Sequence, residues 1–251
     1  MFPLRGGLAP LTLATKAARN GLLNNLVAYW GLDEISAGSN ALDKHSNALA
    51  LALTNNPGVA DGKVYAKARS FDGSTQWFSR NTEAMLSTGD IDFAVAAWVY
   101  PTNANATHAI AGKYRLTASA NREWLLRISA SRYEFRVSAT GSFPTVATVA
   151  NTYGAPALNT WTFVCAWHDS VSNTLNISIN NGMVDSVAHT TGVFASNAPL
   201  MLGTYDDATP GTFWSGRIGP VKFWKGATLA AAQRTALYNA GAGLAYSAFT
   251  A

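Results

Sequence analysis

The sequence predicts an all-β protein: a two-sheet antiparallel jelly-roll sandwich with one short C-terminal helix and an extended N-terminal arm. Charged residues make up only 13% of the 251 residues, which suits short strands joined by polar turns better than charged surface helices. Apolar residues alternate with a period of two in many short segments, and only one late segment changes to helical spacing. Hydrophobic residues amount to 48%, which is enough to fill a sandwich core.

The central strands are predicted from stretches in which both faces are apolar. "FAVAAWVYP" (residues 93–101) and "TWTFVCAWHD" (residues 160–169) place apolar side chains on either side of the strand, as a strand inside a sandwich requires. We expect Trp98, Phe163 and Ile177 to be buried between the two sheets. Further strands are predicted at "SFDGSTQWFS", "EWLLRIS", "YEFRVSATG", "PLMLGTY" and "GRIGPVKFWKG".

The segment "TLNISINNGMVDSVAH" predicts a β-hairpin, because apolar and polar residues alternate on both sides of a turn sequence. Asn181 and Gly182 are the residues expected to supply the positive φ values of a tight turn.

One helix is predicted in "TLAAAQRTALYNAGAG". Thr228 is expected to cap it and Gly241 to end it, since a hydroxyl suits the N-cap and glycine suits the C-terminal residue. The helix should present one apolar face made of Leu229, Ala232, Ala236 and Leu237.

The chain resembles a known family through eight segments that occur in order. They are "LVAYWGLDE", "SFDGS", "DFAVAAWVYP", "GKY", "WTFVCAWHD", "LNISINNG", "APLMLG" and "FWSGRIGPVKFWKGATLAAAQRTALYN". Their order and spacing resemble the laminin-G-like (concanavalin A-like) jelly-roll domains over residues 26–240. The resemblance implies a curved sandwich that binds glycans or proteins, with calcium at one rim in some members. We therefore divide the chain into an arm (1–25), a laminin-G-like domain (26–246) and a short tail (247–251).

The sequence does not predict an enzyme. Glycoside hydrolysis needs two carboxylates flanking the sugar bond, and catalytic members of the superfamily carry them in an E-x-D-x-x-E pattern that none of the four glutamates forms. Asp90 and Asp92 come closest, but aspartate at a strand entrance usually caps the turn. Cys165 and His168 are three residues apart on a strand and so point to opposite faces. Cys165 is predicted to be a small core residue.

Candidate ligand contacts are the aromatic residues that lie outside the strong strand pattern beside polar neighbours. Trp77, Tyr205 and Trp214 could stack on sugar rings, with core or rim packing as the alternative. Asp206 and Asp207 are the candidate calcium ligands, since adjacent carboxylates supply hard oxygen donors, with a solvated acidic loop as the alternative.

Charge, cysteine content and hydropathy restrict the partners. The net charge of +4 includes no run of Lys or Arg, so nucleic acid is not expected as a partner. No stretch reaches 18 consecutive apolar residues, so no membrane span is expected, and we identify no signal peptide. The single Cys165 excludes an intramolecular disulfide.

The N-terminal arm favours an assembly role. Pro and Gly interrupt its apolar residues, so we expect residues 1–23 to extend from the sandwich and dock into another subunit through Phe2, Leu4 and Leu8. The predicted function is a lectin-like decoration subunit of a homo-oligomer or particle, a bacteriophage virion surface with glycans as additional ligands. The alternative is a free carbohydrate-binding or adhesion module of a secreted or cell-surface protein.

Overall fold

The computed structural model describes residues 13–116, 121–206 and 209–249, which fold into two antiparallel β-sheets and a few short helices. The strands are β1 (Leu26–Trp30), β2 (Ala52–Thr54), β3 (Gly58–Asp61), β4 (Lys67–Asp72), β5 (Trp77–Arg80), β6 (Phe93–Pro101), β7 (His108–Tyr114), β8 (Arg122–Ser129), β9 (Arg132–Ser138), β10 (Thr145–Val149), β11 (Thr162–Asp169), β12 (Thr174–Ile179), β13 (Val184–Ala188), β14 (Leu200–Leu202) and β15 (Ser215–Lys225). The helices are α1 (Leu13–Asn20) and α2 (Ala231–Tyr238), with 3-10 turns at Gly21–Leu23, Asn239–Gly241 and Tyr246–Phe249.

In each sheet, strands that are distant in the sequence lie side by side, as in a β-sandwich. Sheet 1 has the order β13-β12-β11-β6-β15-β4-β3, with β1 also paired to β15. Sheet 2 has the order β10-β9-β8-β7-β14-β5-β2. The register of β15 shifts between Ile218 and Val221, where Gly219 and Pro220 interrupt the pairing with β6. The predicted all-β, two-sheet antiparallel fold with a short C-terminal helix is confirmed.

The main core lies between the sheets and follows the period-two alternation of their strands. Phe93 and Val95 of β6 meet Trp124 and Phe135 of sheet 2, and these side chains are fully or almost fully buried. Ile177 of β12 belongs to the same core, as predicted.

A second core covers the outer face of sheet 1. It contains Trp98, Phe163 and Cys165, together with Leu22, Leu237 and Phe249 from the helical segments. The prediction that Trp98 and Phe163 lie between the sheets is wrong, although both are buried, because they occupy the opposite face of their strands under a layer of short helices. Cys165 is buried here as a small core residue, as predicted.

Lys222 points into this second core from β15. It pairs in register with Ala96 of β6, and no part of it reaches solvent. Its Nζ lies 4.9 Å from the centre of the Tyr29 ring and has no hydrogen-bond partner among the described residues. Burial lowers the pKa of the Lys222 ammonium to about 7, because a charge is poorly solvated there.

The predicted hairpin joins β12 and β13, but its turn lies one residue earlier than expected. Asn180 and Asn181 have φ values of 53° and 55°, and the Gly182 N–H donates to the Ile179 carbonyl at 2.9 Å. Asparagine tolerates the left-handed region, so Asn180 occupies the position expected for Asn181, and Asn181 the one expected for Gly182.

The predicted helix is α2, and its caps differ from those expected. Ala230 takes the N-cap position in place of Thr228, and its N–H donates to the Gln233 side chain at 2.9 Å. Asn239, rather than Gly241, ends the helix in the left-handed conformation. Leu237 is buried against sheet 1. Both α-helices are eight residues long, too short to cross the apolar layer of a bilayer.

The C-terminal part of the predicted arm packs on the sandwich, and residues 1–12 lie outside the described part of the chain. Leu22 is fully buried, and its carbonyl accepts a hydrogen bond from the Trp224 indole at 2.8 Å. Residues 18–23 thus pack on the sandwich, contrary to the expectation that the arm extends away from it. Phe249 of the predicted tail is also buried, so the folded unit reaches beyond residues 26–246 at both ends. Phe2, Leu4 and Leu8 lie outside the described residues, and their anchoring role stays a prediction.

Candidate functional site

The outer face of sheet 2 carries a long loop where sheet 1 carries helices. Residues 203–214, which we call the cover loop, leave β14 and return to β15; residues 207 and 208 are outside the described part. The loop closes where the Trp214 N–H donates to the Gly203 carbonyl at 2.8 Å. It is fastened to β7 by the Ala109 N–H, which donates to the Thr212 carbonyl at 2.8 Å. The loop is therefore held against β7, and its Tyr205 packs on the outer-face residues Ala109, Tyr114 and Leu125 of sheet 2.

The cover loop does not bring its predicted ligand residues together. Trp214 is 0% exposed and packs in the core between the sheets, with its indole N–H donating to the Arg217 carbonyl at 3.2 Å. The prediction that Trp214 contacts a sugar is wrong, because its ring has no accessible face. Tyr205 is half-buried and meets the edge of the Tyr114 ring, with 5.5 Å between ring centres.

Asp206 fastens the loop instead of offering free oxygens. It is 1% exposed, and its carboxylate accepts the Leu116 N–H at 2.8 Å and the Thr209 N–H at 3.3 Å. These donors surround the carboxylate with hydrogens that a calcium ion would have to displace. Asp207 lies outside the described residues. Within the described chain no three His, Cys, Asp or Glu side chains form a group that could hold a metal, and the site as it stands does not fit calcium.

A cleft of about 330 Å³ opens beside the cover loop, at the start of β5 and β7. It is lined by Gly73, Ala106, Thr107, His108, Thr212 and Phe213. Trp77 continues its aromatic wall, since the Trp77 and Phe213 rings lie 6.0 Å apart at an angle of 37°. Both rings are half-buried, which leaves part of each open to solvent.

Polar atoms stand beside that aromatic wall. His108 Nδ1 lies 2.7 Å from the Phe213 carbonyl and must carry the proton, because a carbonyl only accepts. The opposite nitrogen, Nε2, is then an acceptor, and it is buried without a partner among the described residues. Thr212 has a φ of 53°, a left-handed conformation that is uncommon for a β-branched residue. The cleft thus combines aromatic surface, hydroxyl groups and one unpaired acceptor.

A second candidate region lies on β8 and β9. Arg127 and Arg136 donate from Nε to the same oxygen of Glu134, at 2.8 and 2.6 Å. Burial lowers the pKa of Arg136, but hydrogen bonding and charge from Glu134 outweigh it and raise that pKa overall. Arg122 is stacked 4.1 Å from the centre of the Phe143 ring. We call these five residues the arginine face.

The sequence analysis named Trp77 and Tyr205 as candidates and did not name Phe213 or the residues of the arginine face. Arg127 and Glu134 alternate with apolar residues, which indicates outward-facing positions, yet their pairing depends on the β8–β9 register. Phe213 is separated from Trp77 by more than 130 residues, and only the fold brings their rings together.

The residues considered for catalysis have structural roles. Burial raises the pKa of the Cys165 thiol to about 12, so it stays protonated at neutral pH and is a poor nucleophile. Asp92 accepts the Ser170 N–H at 2.8 Å and hydroxyl at 2.7 Å, which ties two distant loops instead of capping its own turn. Asp90 lies 3.9 Å from His168.

Comparison with known proteins identifies relatives of this geometry. The Laminin_G_3 model, described as the concanavalin A-like lectin/glucanases superfamily, matches residues 71–232, more than half of the chain. No curated protein sequence matches. A similar solved structure is domain 4 of AbnA, a GH43 extracellular arabinanase from Geobacillus stearothermophilus, in complex with arabinotriose. It has a TM-score of 0.62 and 20% identity, over 84% of this chain and 97% of that one.

Two toxin binding domains share the fold. The binding domain of Paraclostridial Mosquitocidal Protein 1 has a TM-score of 0.64 and 12% identity, over 87% of this chain and 53% of that one. The binding domain of botulinum neurotoxin DC in complex with SialylT has a TM-score of 0.61 and 10% identity, over 88% and 52%. The chain therefore spans about half the length of these toxin domains.

Proposed function

The chain belongs to the concanavalin A-like lectin/glucanase superfamily, and from this premise we propose that it is a non-catalytic carbohydrate-binding module that acts outside cells or at a cell surface. Two proteins of similar fold support a glycan ligand, since one was solved with arabinotriose and the other with SialylT. The non-catalytic assignment is supported by the structural roles of Cys165 and Asp92.

The cleft beside Trp77 is the observation that carries the proposal. Sugar rings present apolar C–H faces that stack on aromatic rings, while their hydroxyl groups need nearby donors and acceptors. The partly open Trp77 and Phe213 rings supply the first requirement, and the hydroxyl groups of Thr107 and Thr212 supply the second. A cleft of about 330 Å³ lies at the small end of the range for ligand sites, which suits one or two sugar units.

A glycan array followed by calorimetric titration of the best ligand tests the proposal. We expect Trp77→Ala to weaken binding at least tenfold without changing the thermal midpoint by more than a few degrees. Tyr153→Ala is the matched control, because Tyr153 is another half-buried aromatic residue but packs against Tyr133, away from the cleft. Unchanged affinity in Trp77→Ala would remove the cleft from the proposal, and an array without any ligand would refute the proposal itself.

A decoration subunit of a larger particle, such as a bacteriophage virion, is the second candidate. It is supported by the apolar residues Phe2, Leu4 and Leu8, which precede the segment that packs on the sandwich. Deleting residues 1–12 avoids the buried Leu22 and should leave a folded domain. If the full chain forms an oligomer by light scattering and the truncated chain is a monomer, the anchoring role holds; equal masses for both would refute it.

A further inference from the structure

We propose that the arginine face binds a glycan that carries carboxylate groups, such as a sialylated or uronic acid oligosaccharide. This inference rests on the proposed function, because it names the class of glycan, but it concerns a region separate from the Trp77 cleft. Three observations support it: the arginine face has a net positive charge, its guanidinium groups keep N–H donors for a ligand, and these side chains are partly exposed.

The charges of the arginine face do not cancel. Arg127 and Arg136 share one carboxylate, that of Glu134, which leaves one positive charge. Arg122 adds a second, because no ion pair joins it to an acidic side chain in the described ranges; its Nη2 donates only to the Leu116 carbonyl, at 3.3 Å. A surface with two uncompensated guanidinium groups attracts anions.

The geometry leaves the anion-binding atoms free. Both Arg127 and Arg136 use Nε on the same Glu134 oxygen, and Arg136 also donates a hydrogen bond to the Tyr114 hydroxyl, which leaves further N–H groups on each guanidinium. Each guanidinium therefore keeps Nη donors for a ligand, in the planar arrangement that matches a carboxylate. Glu134 holds the two groups in position and keeps its second oxygen unpartnered among the described residues, available to accept from a sugar hydroxyl.

Partial burial strengthens the attraction of the Arg127 and Arg136 guanidinium groups for an anion. The Arg127 and Arg136 side chains are 13% and 18% exposed, so their charges are only partly screened by water. The small side chain of Ala147 on β10 faces Arg136 in register and leaves room beside it.

An aromatic surface adjoins the charges. Phe143 is 61% exposed and lies under the Arg122 guanidinium. The Tyr114 ring lies 5.9 Å from the same guanidinium, and the Tyr114 hydroxyl accepts a hydrogen bond from Arg136. An exposed ring beside cationic donors and one carboxylate oxygen fits a sugar that has a carboxylate, an apolar ring face and hydroxyl groups.

Titration with matched ligands tests the inference. The probes are sialyllactose and an oligogalacturonate, each compared with its methyl ester, which removes the charge and keeps the sugar. We expect at least one acid form to bind tenfold or more tightly than its ester, and to weaken as salt increases. This comparison needs no variant, so it remains decisive even if an arginine substitution prevents folding.

The protein variants then locate the site. Arg127→Gln with Arg136→Gln should reduce binding of the acid form at least tenfold and leave binding of its ester unchanged. Arg217→Gln is the matched control, because Arg217 also lies over an aromatic ring, at 4.7 Å from Tyr100, but belongs to sheet 1. Equal affinity for acid and ester, or a loss in Arg217→Gln equal to that of the double variant, would overturn the inference.

The remaining outcomes separate the inference from the proposed function. Binding of neutral glycans that depends on Trp77 and ignores ligand charge would sustain the proposed function and refute the acidic-glycan site. Binding of dextran sulfate without any carboxylated sugar would also refute that site, since it would indicate a general polyanion surface. Failure of every glycan, neutral or acidic, would refute both.

Discussion

Replacing Lys222 by Met should stabilise the protein at neutral pH. The side chain is fully buried, and its amine has no hydrogen-bond partner in the described chain. Burial lowers the pKa from 10.5 to about 7, and each tenfold change in proton affinity corresponds to about 1.4 kcal/mol. At pH 7, where about half of the folded molecules keep the proton, the buried lysine therefore costs about 4 kcal/mol relative to one that keeps its usual pKa. Methionine has a similar length and no charge, so we expect a gain of about 3 to 5 kcal/mol.

The pH dependence distinguishes this effect from a simple packing change. Between pH 7 and 10.5 the unfolded chain binds a proton at Lys222 that the folded chain does not, so the contribution of Lys222 to stability improves as pH rises. The difference between the wild type and Lys222→Met should thus shrink across this range. Cys165 acts in the opposite direction above pH 9, because its thiol ionises only in the unfolded chain. The charge of Lys222 lowers the pKa of this thiol, so the comparison of the two proteins is cleanest between pH 7 and 9.

Urea denaturation at several pH values between 7 and 10.5 measures these differences. Lys67→Met is the matched control: the Lys67 side chain is 42% exposed, and the same substitution should change the unfolding free energy by less than about 1 kcal/mol. A Lys222→Met protein no more stable than the wild type at pH 7, or a difference that stays constant to pH 10.5, would show that the lysine is not the buried neutral amine inferred here.

Three further changes test the packing and the buried charges. Phe163→Ala removes a ring packed against Trp98 and Tyr238 and should cost about 3 to 5 kcal/mol in chemical denaturation; a loss below 1 kcal/mol would contradict the second core. Glu123→Ala leaves the fully buried Lys113 without its ion pair and should cost about 3 to 5 kcal/mol in the same assay; a loss below 1 kcal/mol would contradict a buried charged pair. Burial lowers the pKa of His189 below its usual 6.5, so stability should fall as pH drops below 6.5; thermal melts of His189→Asn should show a weaker dependence between pH 6.5 and 5, and an unchanged slope would contradict this.

The strands could be predicted from the sequence because alternation depends only on local order. In the strands that carry Trp98 and Phe163, however, both faces are apolar. The alternation therefore cannot tell which of the two faces meets the other sheet. That choice depends on Leu22 and Phe249, which come from distant parts of the chain to cover the outer face. The residues that precede Trp214 are mostly polar and do not indicate that it is a core residue. Trp214 is buried because the cover loop closes on Gly203, which only the fold brings about.

The binding regions were less predictable than the fold. Trp77 stands out by its polar neighbours, but its partner Phe213 approaches it only after the two sheets form. Likewise, Arg127 and Arg136 are ordinary outward positions in the sequence, and their shared carboxylate appears only when the register of β8 and β9 places Glu134 between them.

The helical layer on sheet 1 determines how this module can be attached to a solid support. Segments near both ends of the described chain, α1 and the turn at Tyr246–Phe249, lie on that layer. The arginine face is on the opposite outer surface, beyond two sheets about 10 Å apart and a helical layer of about 10 Å. A sensor chip or bead coupled through α1 or the Tyr246–Phe249 turn would therefore leave the arginine face turned toward the solution, and immobilisation by randomly modified lysines would not.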